Sequence, residues 1–208
     1  MRRALVVGIV LLAAVPTVVI ASQLVQVQDP LGCPSRLMPA PGALKVRVFV
    51  ANPMQAAALD ARALSDYLSD RFTRQVEVTG VQQSDATAFR SAAAMRPLSG
   101  EMFAYLDDVP AFSNVPTQNG LVNALGFATP GSACAYVSFM PGAPTLCRLS
   151  NAVEPIQPAY AFLAHELGHL LGLAHAAAGI MGKGVFELCK ADHFDPTQQA
   201  AIEAWGQR

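Results

Sequence analysis

The sequence predicts an α+β domain behind an apolar N-terminal segment. Runs in which apolar and polar residues alternate indicate strands, and apolar residues that recur every three or four positions indicate amphipathic helices. A third observation is a capped helix near the C-terminus, where an acidic residue precedes a proline. The chain has 208 residues, 52% hydrophobic and 14% charged, which suits one domain with a substantial core.

The N-terminal residues have the pattern of an export signal. Arg2 and Arg3 precede an uncharged, apolar run of 18 residues over 4–21. This run predicts a signal peptide cleaved after Ala21 or an uncleaved signal anchor, because it lies at the lower length limit of a membrane span. Both alternatives place the rest of the chain outside the cytoplasm, either secreted or anchored by residues 4–21.

The charge of the chain argues against a nucleic-acid partner. The formal net charge is −1, and removal of residues 1–21 lowers it to −3 because two arginines leave with that segment. The sequence has no basic run or stripe that could bind phosphates. A membrane is expected as a partner only through an uncleaved N-terminal segment, and the chain is expected to be a monomer.

The cysteine count indicates disulfides. Four cysteines in an exported chain are an even number that favours pairing. Their spacing leaves all three possible pairings open. The four are Cys33, Cys134, Cys147 and Cys189.

The first half of the chain predicts a linker followed by alternating strands and helices. Prolines and glycines over 22–43 break regular structure, so the domain is expected to span 44–208. Alternation predicts the strands, and apolar faces predict the helices. In chain order the segments are a strand over 44–50, one long helix over 54–72, a strand over 75–81 and a helix over 84–95.

The second half predicts a strand and two further helices, and leaves the element type of residues 100–130 open. Residues 133–140 form a β-prone run. A proline-rich loop follows, and Pro158 suits the first turn of a helix over about 159–171 that is apolar nearly all round and therefore buried. Asp195 as N-cap and Pro196 as the first helical residue predict a last helix to about 206.

A histidine cluster lies in the second half of the predicted buried helix and just beyond it. The string HELGHLLGLAH starts at His165 and holds three of the four histidines in the chain. His165 and His169, one helical turn apart, share a face and can bind one metal ion. Glu166 lies about 60° from His169 around the helix, within reach of a water on that metal. His175 joins them only if the chain turns back, which Gly172 permits because glycine adopts left-handed angles freely.

This string, followed by Met181 in a turn, resembles the HExxHxxGxxH signature of the metzincin zinc proteases, in particular matrixin-like and archaemetzincin-like members. The resemblance covers about 44–208 and is sharpest over 165–181. It implies a small mixed sheet with an edge strand over the cleft, a long zinc-binding helix and a C-terminal helix. It also implies that residues 133–140 form that edge strand and bind an extended peptide by strand addition.

The resemblance implies a zinc endopeptidase acting on a peptide or protein substrate. His165, His169 and His175 become the Zn²⁺ ligands, and Glu166 becomes the general base for a zinc-activated water. Met181 supports the histidines by packing. Two alternatives remain open: a non-catalytic, zinc-stabilised peptide-binding protein, and a processing peptidase of narrow specificity.

Two further features follow from the resemblance. Cys33 could act as a zymogen switch that caps the zinc, although a structural disulfide is the favoured role. A specificity pocket is expected beside the zinc, with an apolar lining from Val185, Phe186 and Leu188. Many matrixins carry a second, structural zinc bound by several histidines, and His193, the one histidine outside the motif, cannot build that site alone.

Overall fold

Seven strands and five helices make up the part of the chain that the computed structural model describes. That part comprises residues 33, 36–94, 100–107, 115–117, 120–122, 126–138, 158–182 and 193–205. In chain order the elements are β1 (Leu44–Val50), α1 (Pro53–Ala58), α2 (Ala61–Phe72), β2 (Val76–Gln83), α3 (Ala86–Ala94), β3 (Glu101–Asp107), β4 (Val115–Thr117), β5 (Gly120–Val122), β6 (Gly126–Ala128), β7 (Cys134–Ser138), α4 (Pro158–Leu170) and α5 (Pro196–Trp205). The chain folds as a mixed α/β domain.

The main sheet is small and mixed, as expected. Its strand order is β2-β1-β3-β7-β6. The first four of these strands run parallel, whereas β6 pairs with β7 in the antiparallel sense. A separate antiparallel pair is formed by β4 and β5. The central strands are buried nearly throughout, which is typical of parallel strands that are covered on both faces.

The prediction that residues 133–140 form the edge strand is wrong. The strand in this region, β7, pairs with β3 on one side and with β6 on the other. Residues 133–137 are all buried, as expected of an interior strand, whereas all three residues of β6 are half-buried. The described sheet therefore ends on this side in β6, which comes earlier in the chain, and on the other side in β2.

A row of aromatic side chains crosses one face of the sheet and shows which way β6 is oriented. Phe49, Tyr105, Tyr136 and Phe127 stand opposite one another in consecutive strand pairs, and Phe89 of α3 packs on the first three. Since neighbouring side chains of a strand point to opposite faces, the residues on either side of Phe127 face α4, which packs against β6 and β7.

The predicted single helix over 54–72 is two helices. Leu59 and Asp60 both have extended backbone angles, and the Asp60 carboxylate accepts hydrogen bonds from the N–H groups of Arg62 and Ala63 at 2.8 and 3.0 Å. Asp60 therefore caps a new helix in the middle of a continuous apolar pattern. The remaining predicted strands and helices are confirmed, with bounds that differ by at most two residues over the described part of the chain.

The segment that precedes β1 is attached to the domain at several points. Cys33 forms a disulfide with Cys134 of β7, which confirms a structural disulfide for Cys33 and leaves it no free thiol for a zymogen switch. The Leu37 N–H donates to the Gly131 carbonyl at 3.0 Å. The Arg74 guanidinium donates to the carbonyls of residues 40 and 42 at 2.5 and 2.7 Å. Residues 36–43 are thus packed against the domain.

Several predictions fall outside the described residues. These are the export signal over 1–21 with most of the linker that follows it, the cysteines Cys147 and Cys189, and the pocket residues Val185, Phe186 and Leu188. Within the described ranges, no helix has both the length and the apolarity that a membrane span requires.

Replacement of Asp60 by alanine is expected to lower the free energy of unfolding by about 1 kcal/mol, because two N–H groups at the start of α2 lose their acceptor. Denaturant unfolding of the two proteins measures the difference. Asp66→Ala, an exposed site inside the same helix, is the matched control and should change the stability by less than about 0.5 kcal/mol. Equal effects of the two substitutions would contradict a capping role for Asp60.

Candidate metal centre

The helix α4 ends in a tight reversal that brings the chain back toward its own last turn. Gly172 has φ +91°, and its N–H donates to the His169 carbonyl at 2.9 Å. The Leu173 N–H donates to the Gly168 carbonyl at 3.0 Å. These two bonds form a Schellman motif, which requires a left-handed residue at the position of Gly172. The chain therefore reverses where the sequence predicts it.

Three imidazole rings converge beside this reversal. The ring centroids of His165, His169 and His175 lie 4.6 to 5.2 Å apart, and the Nε2 atoms of His169 and His175 are 3.1 Å apart. One nitrogen from each ring lies within 4.8 Å of the other two. Zn–N bonds of about 2.0–2.1 Å in a tetrahedral site require nitrogens about 3.4 Å apart. The cluster fits a Zn²⁺ ion with small adjustments of the rings.

Backbone carbonyls fix which nitrogen of two rings faces the metal position. The Nδ1 atom of His165 lies 2.6 Å from the Ile180 oxygen, and Nδ1 of His169 lies 2.7 Å from the Leu173 oxygen. A carbonyl oxygen can only accept, so each Nδ1 must carry the proton and donate. The lone pair then resides on Nε2, which is the tautomer a metal requires.

The site keeps these imidazoles neutral. Burial and, to a smaller extent, the neighbouring His169 and His175 rings lower the pKa of His165 to about 4. Burial also lowers the pKa of His169. Desolvation disfavours the charged form of a histidine, so at neutral pH both rings offer a lone pair instead of a second proton. The donor set therefore suits a dication rather than an anion.

Glu166 is a buried carboxyl group next to this cluster. It is 6% exposed, and burial raises its pKa to about 8. A cation beside such a group favours its charged form, whereas burial away from solvent favours its neutral, protonated form. Its side chain lies directly over Gly126 of β6, because a Cβ atom built on Gly126 would stand 2.2 Å from Oε1 of Glu166. The structure thus brings Glu166 and β6 into contact.

Met181 lies underneath the helix that carries the first two histidines. It is fully buried, and a Cβ atom on Gly168 would meet its Sδ at 2.6 Å. Its carbonyl accepts from the Ala176 N–H at 2.8 Å, directly after His175. Met181 therefore contacts the helix and also holds the returning segment, in agreement with a supporting role by packing.

Gln198 is a site residue that the motif spacing does not reveal. Its side-chain oxygen accepts from the Asp195 N–H at 3.2 Å, while the Asp195 carboxylate accepts from the Gln198 N–H at 2.9 Å. This pair is a capping box at the start of α5, and an acidic residue followed three positions later by glutamine is its sequence pattern. The Gln198 amide also donates to the Ala174 carbonyl at 3.5 Å, one residue before His175.

His193 takes no part in the three-histidine cluster formed among the described residues. Its side chain is exposed, and its carbonyl accepts from the Ile180 N–H at 3.2 Å. Ile180 is the residue whose own carbonyl binds His165. The segment just before α5 therefore reaches the metal centre through a backbone contact, and α5 itself reaches it through Gln198.

Comparisons with known proteins show distant similarity to 39 chains of solved structures, among them a zinc-dependent peptidase and a metalloproteinase. The zinc-dependent peptidase from Methanocorpusculum labreanum is 19% identical, with 76% of this chain and 99% of that chain covered and a TM-score of 0.48. Metalloproteinase-II from Bacteroides fragilis is 12% identical, with 88% of this chain and 61% of that chain covered and a TM-score of 0.45. No protein-family model and no curated protein matches the sequence. Similarity at this level does not assign a function, so the geometry of the site has to support one.

Replacement of Gly168 by alanine is expected to destabilise the protein, since the added Cβ would stand 2.6 Å from the Met181 sulfur and 3.2 Å from the Phe194 ring. Overpacking of this kind costs about 1–3 kcal/mol. The expected sign is diagnostic, because Gly→Ala inside an unobstructed helix stabilises by about 1 kcal/mol. Denaturant unfolding measures the change, and a gain in stability would show that the contact with Met181 is not tight.

Gln198→Leu is expected to weaken zinc binding by about tenfold, the lower end of the effect of removing a group that orients a ligand. Competition with a chromophoric chelator measures the affinity. Gln199→Leu is the control: its amide donates to the Phe72 carbonyl at 3.0 Å, so it removes a side-chain hydrogen bond of α5 that does not involve the His175 segment. Equal zinc affinities of the two variants would contradict a role of Gln198 in holding the His175 segment.

Proposed function

We propose that the chain is an extracytoplasmic zinc-dependent endopeptidase of the metzincin type. The observation that carries this proposal is the convergence of three imidazoles with a buried carboxylate from the residue that follows the first of them. A zinc ion that served only as a structural staple would gain nothing from an acidic residue at position 166. The carboxylate therefore favours hydrolysis over zinc-stabilised peptide binding.

His165, His169 and His175 would hold the metal through one ring nitrogen each. Three protein ligands are the number typical of catalytic zinc, since structural sites are closed by four. When bound, the zinc supplies a Lewis acid that activates water and polarises a peptide carbonyl. The protein contributes the fixed tautomers of His165 and His169 and the buried surroundings, which strengthen electrostatic interactions.

Glu166 is the proposed general base. Bound zinc would favour the charged form of this buried group, so it can take a proton from the attacking water and hold it where bulk solvent is nearly excluded. It then passes that proton to the amine nitrogen as the peptide bond breaks. Both transfers require a group that accepts and releases a proton near neutral pH.

The proposed location outside the cytoplasm is supported by two independent features. The apolar N-terminal run has the pattern of an export signal. The Cys33–Cys134 bond is of a kind that forms and persists in oxidising compartments. Cleavage of the signal after Ala21 and retention as an anchor both remain compatible with this proposal.

The proposed substrate is a peptide or protein segment in extended conformation. Support comes from β6, one of the two terminal strands of the described sheet, which contacts the helix that carries Glu166. An apolar pocket lined by Val185, Phe186 and Leu188 stays a prediction. Digestion of a peptide library distinguishes a broad endopeptidase from a processing peptidase of narrow specificity.

Glu166→Gln is expected to retain zinc and to lose peptide hydrolysis by about 10²–10⁴-fold, because glutamine has the same shape but cannot take up the proton. Metal analysis of the purified variant measures the first property, and a fluorogenic peptide library measures the second. The control is wild-type protein stripped with a chelator and reloaded with zinc, which should lose and regain activity. Wild-type protein that binds zinc but cleaves no peptide would instead indicate a binding protein.

A further inference from the structure

The contact between Gly126 of the sheet and Glu166 of the zinc helix leaves no space for a side chain at position 126. A Cβ atom built on Gly126 would lie 2.2 Å from Oε1, 2.5 Å from Cδ and 2.6 Å from Cγ of Glu166. All three distances are far below van der Waals contact. Because three successive atoms are involved, rotation of the carboxylate group alone cannot relieve the overlap, and the side chain has to leave its position.

Backbone conformation does not explain the glycine at this position. Gly126 is absent from the residues with positive φ, so any amino acid could adopt its backbone angles. Gly80 of β2 provides the contrast within the same sheet, since it also lacks a positive φ and has no atom within 4 Å of an added Cβ. What is specific to Gly126 is the space that its missing side chain leaves for Glu166.

The carboxyl group lies in closely packed surroundings. Glu166 is 6% exposed, and its neighbours Ala164, His165 and Leu167 on α4 are buried as well. On β6, Gly126 faces α4 with Ala128, while Phe127 faces the aromatic row on the other side of the sheet. The strand thus presents small side chains to the helix at the level of the carboxyl group.

We propose that Gly126 is a positioning residue for Glu166, an inference that rests on the proposed peptidase function. The Cα atom of Gly126 carries no side chain, and the Glu166 carboxylate packs directly against it. This contact sets the distance of the carboxylate from the metal position. The three histidines are held by other contacts, to Ile180, Leu173 and the segment that Met181 holds. A side chain at position 126 therefore moves the base and leaves the metal ligands in place.

The first test compares Gly126→Ala with the matched control Gly80→Ala. Gly126→Ala should retain zinc affinity and KM within about threefold, while kcat falls by about 100-fold, the effect of a misplacement of about 1 Å in a catalytic group. Gly80→Ala should match the wild type in kcat, KM, zinc affinity and thermal midpoint. A loss of zinc affinity in Gly126→Ala as large as the loss of kcat would overturn the inference, because the glycine would then support the whole site.

A double-mutant cycle tests whether the effect passes through Glu166. Glu166→Asp shortens the side chain by one methylene and withdraws it from Gly126. In the Glu166→Asp background, Gly126→Ala should lower kcat by less than about threefold, in contrast to about 100-fold in the wild-type background. Equal reductions in both backgrounds would show that residue 126 acts independently of Glu166.

A spectroscopic readout decides the inference even if the protein hydrolyses no peptide. Cobalt is loaded in place of zinc, and the visible absorption of the wild type, Gly126→Ala, Gly80→Ala and Glu166→Gln is compared. The Gly126→Ala spectrum should shift toward that of Glu166→Gln, and the Gly80→Ala spectrum should stay at the wild-type position. An unshifted Gly126→Ala spectrum overturns the inference alone. Cobalt binding without any peptidase activity of the wild type overturns the proposed function alone.

Discussion

The metal centre depends on the reversal of the chain at the end of α4. The Schellman motif at Gly172 turns the backbone so that the Leu173 carbonyl points back to His169. One short segment therefore ends the helix, orients the second imidazole and starts the return that delivers His175. Leu173 donates its N–H to the Gly168 carbonyl in this motif and accepts from His169 with its own carbonyl, so the residue that terminates the helix also selects the ring tautomer.

The C-terminal segment holds the metal centre in place by contacts that do not involve histidine side chains. The capping box of α5 places the Gln198 amide at the Ala174 carbonyl, and the His193 carbonyl holds Ile180. Ile180 in turn orients His165. The last helix therefore contacts the segment of the third ligand, and the residues just before this helix contact the segment that orients the first, although neither part supplies a ligand. This arrangement explains why an unremarkable amphipathic helix at the end of the chain belongs to the site.

Sequence patterns predict the parts of this protein whose geometry is local. The spacing within HELGHLLGLAH depends only on helical rise and one glycine reversal, so the convergence of the rings follows from eleven residues. The position of β6 in the sheet depends on pairing with β7, and three residues are too few for a periodic pattern. The break at Asp60 is obscured because the apolar pattern continues through it. Gly126 and Gln198 act on residues of other elements, which a motif cannot encode.

Two glycines confine the zinc helix from different sides. Gly126 leaves space for Glu166 next to the sheet, and Gly168 leaves space for Met181 below the helix. Neither position is required to be glycine by its backbone angles, so both serve close approach rather than chain flexibility. A helix held at van der Waals contact on both sides cannot shift to relieve strain on either one. Glu166, the proposed base, and the first two histidines are consequently placed by close packing of α4 against the backbone of β6 and the side chain of Met181, and packing of this kind is what holds a functional group in a fixed geometry.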